Sequence, residues 1–258
     1  MQPHIECQPG DIAPIVLLPG DPKRVDLIAS FLDEYREVAN NREFRTITGT
    51  YQGISVSVTS TGIGCPSTAI AVEELIACGA TTLIRVGTCG GAWREDIAPL
   101  SVVIPTACVR DEGTTIEYVP AGFPAVADVD VVSALAASAQ EQKITYFKGI
   151  NRTHDSFYAP DQSAAKWGEF YLDPRFSDTP SPILSSEMET AALLIVATLK
   201  GVRAGAVLAV DASPTPLKSM ALRSQYLPNV AFKNKDVSVE AQKNMIKTAL
   251  GALKRLTG

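Results

Sequence analysis

Short apolar runs that end in glycine alternate with stretches of helical spacing, and this constrains the chain more than any other feature. Ile15–Leu18 is wholly apolar and stops at Pro19-Gly20. A helix is expected from Pro22 to Leu32, with proline early, where its missing N–H does no harm. Tyr51–Ser60 carries the alternation Ile54-Ser55-Val56-Ser57-Val58 and leads through Gly62-Ile63-Gly64 into a helix from Pro66 to Cys78. Thr82–Val86 ends in Gly87-Thr88-Cys89-Gly90-Gly91. Val102–Val109, Thr145–Gly149 and Ala204–Val210 are further strands. Ser186 is the expected N-cap of a helix that Gly201 stops after Lys200. The last helix, about Val237 to Leu256, places Met245, Ile246, Ala249, Leu250 and Leu253 on one face. Strands alternating with helices predict an α/β class: a central twisted mixed β-sheet flanked by helices.

Residues 158–182 and 212–236 break the pattern. Both are rich in proline, serine and charge, as lids and binding loops often are. Neither carries a domain boundary, so residues 1–258 are expected to form one domain. Hydrophobic residues make up 46% of the chain, enough for a packed core. The net charge of −5, with no basic stripe, argues against a nucleic-acid partner. The run Ala191–Ala197 is far shorter than a membrane span, so no membrane is expected. No apolar leader follows Met1. Five cysteines without a CxxC pair fit free thiols in a cytoplasmic setting. With only His4 and His154, no metal site is expected.

In open α/β sheets ligands gather at strand ends. Three such ends combine glycine with arginine or hydroxyl groups: Pro19-Gly-Asp-Pro-Lys-Arg24, Thr61-Gly-Ile-Gly-Cys-Pro-Ser67 and Arg85-Val-Gly-Thr-Cys-Gly-Gly91. Glycine lets backbone N–H groups approach an anion, and arginine adds a fork of donors. Each loop alone reads equally well as a tight turn. Arg85 stands apart, because an arginine inside the apolar strand Thr-Leu-Ile-Arg-Val requires an anionic partner. None of the loops is a P-loop or a dinucleotide fingerprint.

Together with Asn41-Arg-Glu-Phe44, Val72-Glu-Glu-Leu75, Phe123-Pro-Ala-Val-Ala127, Ser156-Phe-Tyr158 and Glu187-Met-Glu189, these motifs resemble the uridine and purine nucleoside phosphorylases of the hexameric branch. Order and spacing hold over nearly the whole chain. The resemblance implies phosphorolysis of a nucleoside, with inorganic phosphate as co-substrate and no cofactor. Gly20, Arg24, Arg85 and Thr88 match phosphate contacts. Arg42 matches a phosphate arginine, and His4 a ribose contact, each supplied by a neighbouring subunit, so a homo-oligomer, a hexamer built as a trimer of dimers, is expected. Met188 and Glu189 match ribose contacts, and Phe157 an aromatic near sugar and base. Glu187 is a candidate for the base side; it and Glu189 also suit the start of a helix, where carboxylates complement the macrodipole.

The base is read less directly. Leu208-Ala-Val-Asp-Ala-Ser-Pro214 resembles the Val-Asp-Gly-x-Pro stretch of protozoan purine nucleoside phosphorylases, in which the aspartate assists the leaving purine. Asp211 holds that position, with Arg85, among the catalytic candidates, which favours a purine. Uridine is the alternative, although Gln162 lacks the arginine that accompanies its counterpart in uridine phosphorylases. A nucleosidase, or a nucleoside-binding protein without turnover, would share the scaffold. Water needs no anion clamp, so the arginines favour phosphate.

Overall fold

The computed structural model describes residues 1–90, 94, 96–157, 182–211 and 235–257. The two irregular segments, with Tyr158, Gln162 and Pro214, therefore lie almost wholly outside the described residues. Ten strands form one sheet among the residues described. They are β1 (Ile15–Leu18), β2 (Glu34–Asn41), β3 (Phe44–Tyr51), β4 (Ile54–Thr59), β5 (Thr82–Cys89), β6 (Val102–Asp111), β7 (Ala125–Val126), β8 (Tyr146–His154), β9 (Ile183–Glu187) and β10 (Arg203–Val210). Helices α1 (Pro22–Ala29), α2 (Cys65–Ala77), α3 (Thr114–Tyr118), α4 (Val129–Glu141), α5 (Thr190–Lys200) and α6 (Lys235–Leu256) complete the chain.

The spatial order is β2-β3-β4-β1-β5-β10-β6-β8-β9, with β7 paired to β6. The centre is parallel: β1 pairs with β4 and β5, and β5 with β10. β10 against β6 and the β2–β3–β4 meander are antiparallel. The expected mixed α/β sheet is what forms.

Alternation along the strands sorts side chains onto two faces. Ile15 and Leu17 of β1, and Ile84 and Val86 of β5, pack with α1, α4 and α6. Val16, Leu18 and Leu83 pack on the opposite face with α2 and α5. Ala191 to Ala197 of α5 are all buried, so this helix has no polar stripe. Each large apolar side chain there, such as Leu193 or Ile195, contributes roughly 1.5–3 kcal/mol by leaving water.

Some boundaries differ from the expectation. Ser186 belongs to β9, and Glu189 occupies the N-cap position of the helix that follows. Three consecutive polar residues obscured where strand gave way to helix. Gly201 ends that helix in the left-handed conformation, as expected. Helix α1 stops at Ala29, where the chain turns into β2. Residues 34–51 form a hairpin whose outer strand is mostly exposed, and so lacks apolar alternation.

Candidate active site

The parallel strands β1, β5 and β10 end side by side, with Leu18 opposite Arg85, Ala209 opposite Thr88 and Val210 opposite Cys89. Gly20, Arg85, Thr88 and Asp211 therefore collect at the carboxyl ends of these central strands. The α1 N-terminus follows Gly20 directly, capped by the Asp21 side chain on the Lys23 N–H.

Arg85 is buried and lies between two carboxylates. Its Nε donates to Glu187 Oε2 at 2.9 Å, and its Nη2 pairs with Glu189 Oε2. Burial opposes its charge, but Glu189 and Glu187 more than reverse that, and its pKa is raised. Nη1 is buried with no hydrogen-bond partner among the described residues and lies near Gly20: a Cβ placed on Gly20 would stand 3.9 Å from it and 3.2 Å from the Gly62 carbonyl. A charged donor left this way calls for an acceptor brought in from outside.

Glu187 is saturated by the protein. Oε1 accepts from Asn151 Nδ2 and Thr153 Oγ1, and Oε2 accepts from Arg85 and from the N–H groups of Glu189 and Thr190. Burial disfavours its charge, yet Arg85 and these donors hold its pKa below the usual value. Glu189 differs. Oε1 takes the Gly64 N–H at 2.7 Å, while burial and the neighbouring Glu187 push its pKa up in spite of Arg85. Met188 is half-buried between the two, and its carbonyl accepts from Cys65 Sγ.

Arg24 enters from the opposite face. Its Nε donates to Gln242 Oε1 at 3.1 Å and its Nη1 reaches the Val86 carbonyl at 3.4 Å. Burial, followed by the like charge of Arg85, lowers its pKa. Two guanidinium groups that repel across a strand end favour an anion between them. Asp211 is buried just past β10 and accepts from Ser238 Oγ at 3.3 Å. Phe157 is half-exposed, three residues beyond the end of β8.

His4 and Arg42 lie elsewhere. Arg42 is exposed in the two-residue turn between β2 and β3, at φ 55°. Three strand spacings, about 14 Å, separate β3 from β5. His4 Nδ1 is 2.5 Å from Glu74 Oε1, its ring meets Phe44 edge-on, and its carbonyl accepts from Asn41. The structure thus gathers Gly20, Arg24, Arg85, Thr88, Glu187, Met188, Glu189 and Asp211, and leaves His4 and Arg42 together on the sheet edge.

The sequence reading did not assign roles to Asn151 and Thr153, which hold Glu187, or to Gln242 and Ser238. Asn151 and Thr153 stand two apart on a strand and so share a face; two polar residues there were the available signal. Gln242 and Ser238 gave none, because a polar residue on a solvent-facing helix is ordinary.

Residues 14–254 match the family model described as the phosphorylase superfamily. The chain is 48% identical to a uridine phosphorylase of Thermococcus kodakarensis, over 83% of this chain and 78% of the relative. It is 38% identical to a guanosine phosphorylase of Halorubrum lacusprofundi, over 81% and 83%. Among solved structures, the purine nucleoside phosphorylase of Toxoplasma gondii in complex with immucillin-H superposes with a TM-score of 0.81 at 32% identity, covering 99% of this chain and 96% of that one. The chain belongs to the phosphorylase superfamily. Within it the relatives are nucleoside phosphorylases, the family that the motifs resemble. Relatives named for uridine and for purine nucleosides both occur at high coverage, so family membership alone leaves the base open. Among the described residues no helix is long and apolar enough to cross a membrane.

Proposed function

We propose that this chain cleaves the N-glycosidic bond of a nucleoside with inorganic phosphate, giving the free base and ribose 1-phosphate. The observation that carries this reading is the buried Nη1 of Arg85 beside Gly20, without a hydrogen-bond partner among the described residues, with Arg24 reaching the same strand end. Phosphate supplies the missing acceptor. A bidentate contact with Arg85 would be the strongest single interaction in the site.

Glu189 binds the ribose diol. A carboxylate accepts from two hydroxyls, and these donors replace Arg85 Nη2, which then turns to phosphate. Glu187 stays in place and fixes Arg85. Cleavage builds positive charge on the sugar, by analogy with glycoside cleavage, and phosphate held below C1′ stabilises that charge before attacking. Positioning supplies the rest of the rate. Met188 packs on the ribose, and Phe157 lies on the sugar and base side. His4 and Arg42, grouped on the sheet edge, serve the site of a neighbouring subunit in a homo-oligomer, a hexamer in this reading.

For the base we favour a purine. Asp211 is buried at a strand's carboxyl end, where a protonated or shared carboxyl would assist a departing purine. Uridine is the second reading, favoured by the 48% identity to a relative named for that nucleoside. The test is a panel of inosine, guanosine, adenosine, uridine and thymidine assayed with phosphate. Preference for inosine or guanosine, and a 10²–10⁴-fold loss on Asp211→Asn, support the purine reading. Faster cleavage of uridine than of every purine nucleoside replaces it with the second.

A further inference from the structure

Two side chains of α6 join the anion arginine to the acid. Arg24 Nε donates to Gln242 Oε1 at 3.1 Å. Gln242 Nε2 donates to Ser238 Oγ at 3.2 Å, and Ser238 Oγ donates to Asp211 Oδ2 at 3.3 Å. Every donor and acceptor in this chain is used in one direction, from a cation to a carboxylate. The direction also fixes the Gln242 amide, since its oxygen must face Arg24 and its nitrogen Ser238. Ser238 and Gln242 are one helical turn apart, so they share a face of α6. Ala241 and Met245 anchor the same helix in the core below β5 and β10. The chain of bonds therefore rests on a fixed support, not on a loop.

We propose that Gln242 and Ser238 are positioning residues that couple the phosphate side of the site to the base side. The proposal rests on the phosphorylase reading above. Gln242 holds Arg24 in the orientation that receives phosphate, and Ser238 holds Asp211 in the orientation that meets the leaving base. An aligned chain of hydrogen bonds polarises its members, so a change at Arg24 is felt at Asp211. Arg24 is the one of the two arginines that carries this link: Arg85 is bonded to Glu187 and Glu189 on the opposite face.

The experiment uses the full chain with inorganic phosphate and the nucleoside that the wild type cleaves fastest. Ser238→Ala removes the bond to Asp211 and the one received from Gln242, and leaves the bond between Arg24 and Gln242 in place. It should lower kcat by roughly three- to tenfold while the phosphate KM stays within about twofold. Gln242→Leu removes both of its bonds and should raise the phosphate KM by about fivefold or more as well as lower kcat. Gln242→Glu keeps the acceptor for Arg24 but offers Ser238 a second acceptor in competition with Asp211. It should restore the phosphate KM to within about twofold of wild type and leave kcat low. Wild-type constants in all three variants overturn the coupling, and so does an equal loss in all three that follows a lowered Tm. If the wild type itself turns over without phosphate, the phosphorylase reading fails, and the coupling with it. A phosphate-dependent wild type with unaffected variants sinks the coupling alone.

Discussion

Gly87 lies beneath the guanidinium of Arg85, two residues earlier on the same face of β5. A Cβ on Gly87 would stand 2.7 Å from Arg85 Nη2 and 2.8 Å from Cζ. The arginine folds back along its own strand, and only a residue without a side chain leaves it room. The space above Gly87 is where the guanidinium lies as it pairs with Glu187 and Glu189.

Gly87→Ala should therefore lift Arg85 off its carboxylates without unfolding the sheet. The phosphate KM is expected to rise by about tenfold or more, since a bidentate charged contact depends on where the guanidinium lies. Steady-state kinetics with varied phosphate, together with circular dichroism, checks this. An alanine variant with wild-type phosphate affinity would show that the guanidinium is positioned by something else.

Glu187→Gln replaces a saturated carboxylate with an amide. Its –NH₂ then faces donors, the N–H groups of Glu189 and Thr190 or the side chains of Asn151 and Thr153, while Arg85 loses a counter-charge. Breaking a buried pair in this way costs about 3–5 kcal/mol. Chemical denaturation should register a loss of that order. A change below about 1 kcal/mol would mean that the pair is not fixed as described.

His154 gives a prediction about pH. Its ring is partly buried, and burial, followed by Arg152, lowers its pKa from 6.5. The unfolded chain takes up the proton near 6.5, and the folded chain only at lower pH. Between the two the unfolded state holds more protons, so stability falls as pH drops through this window. His154→Gln keeps a donor for the Ser156 carbonyl and should flatten the fall of Tm between pH 7.5 and 5 (values chosen to bracket about 6.5). An unchanged slope in the variant would assign the pH dependence to other groups.

The site's division between subunits is testable by complementation. Arg42→Ala and Arg85→Ala should each be nearly inactive. If Arg42 serves a neighbour, a mixed assembly contains sites in which both arginines are intact. Random pairing restores about a quarter of the sites when each site is shared across a two-fold interface. Co-expression with two affinity tags and assay of the mixed species measures this. No recovery in the mixed species would place Arg42 outside the neighbour's site.

Much of this was legible in the sequence because strand ends announce themselves. Gly20, Arg85, Thr88 and Asp211 each follow or sit within an apolar run, and parallel pairing brings such ends together. Arg85 was marked by its charge inside an apolar strand, and its carboxylate partners are Glu187 and Glu189. The hairpin of β2 and β3 was not legible, since its outer strand is exposed and its turn, Arg42-Glu43, lacks glycine. Helix α4, Val129–Glu141, was not assigned, although Asp128 caps its start and Val131, Ala134, Leu135 and Ser138 recur at helical spacing on its buried face. Gln242 and Ser238 became visible only when packing brought α6 beneath Arg24 and Asp211, partners far away in sequence.

The central claim is that phosphate, not water, is the nucleophile. The direct measurement is the sugar product, followed by phosphorus NMR for ribose 1-phosphate and proton NMR for free ribose during cleavage of inosine and uridine with and without inorganic phosphate. The account predicts ribose 1-phosphate formed in step with free base, and negligible cleavage when phosphate is left out. Free ribose appearing at the same rate in phosphate-free buffer would contradict it.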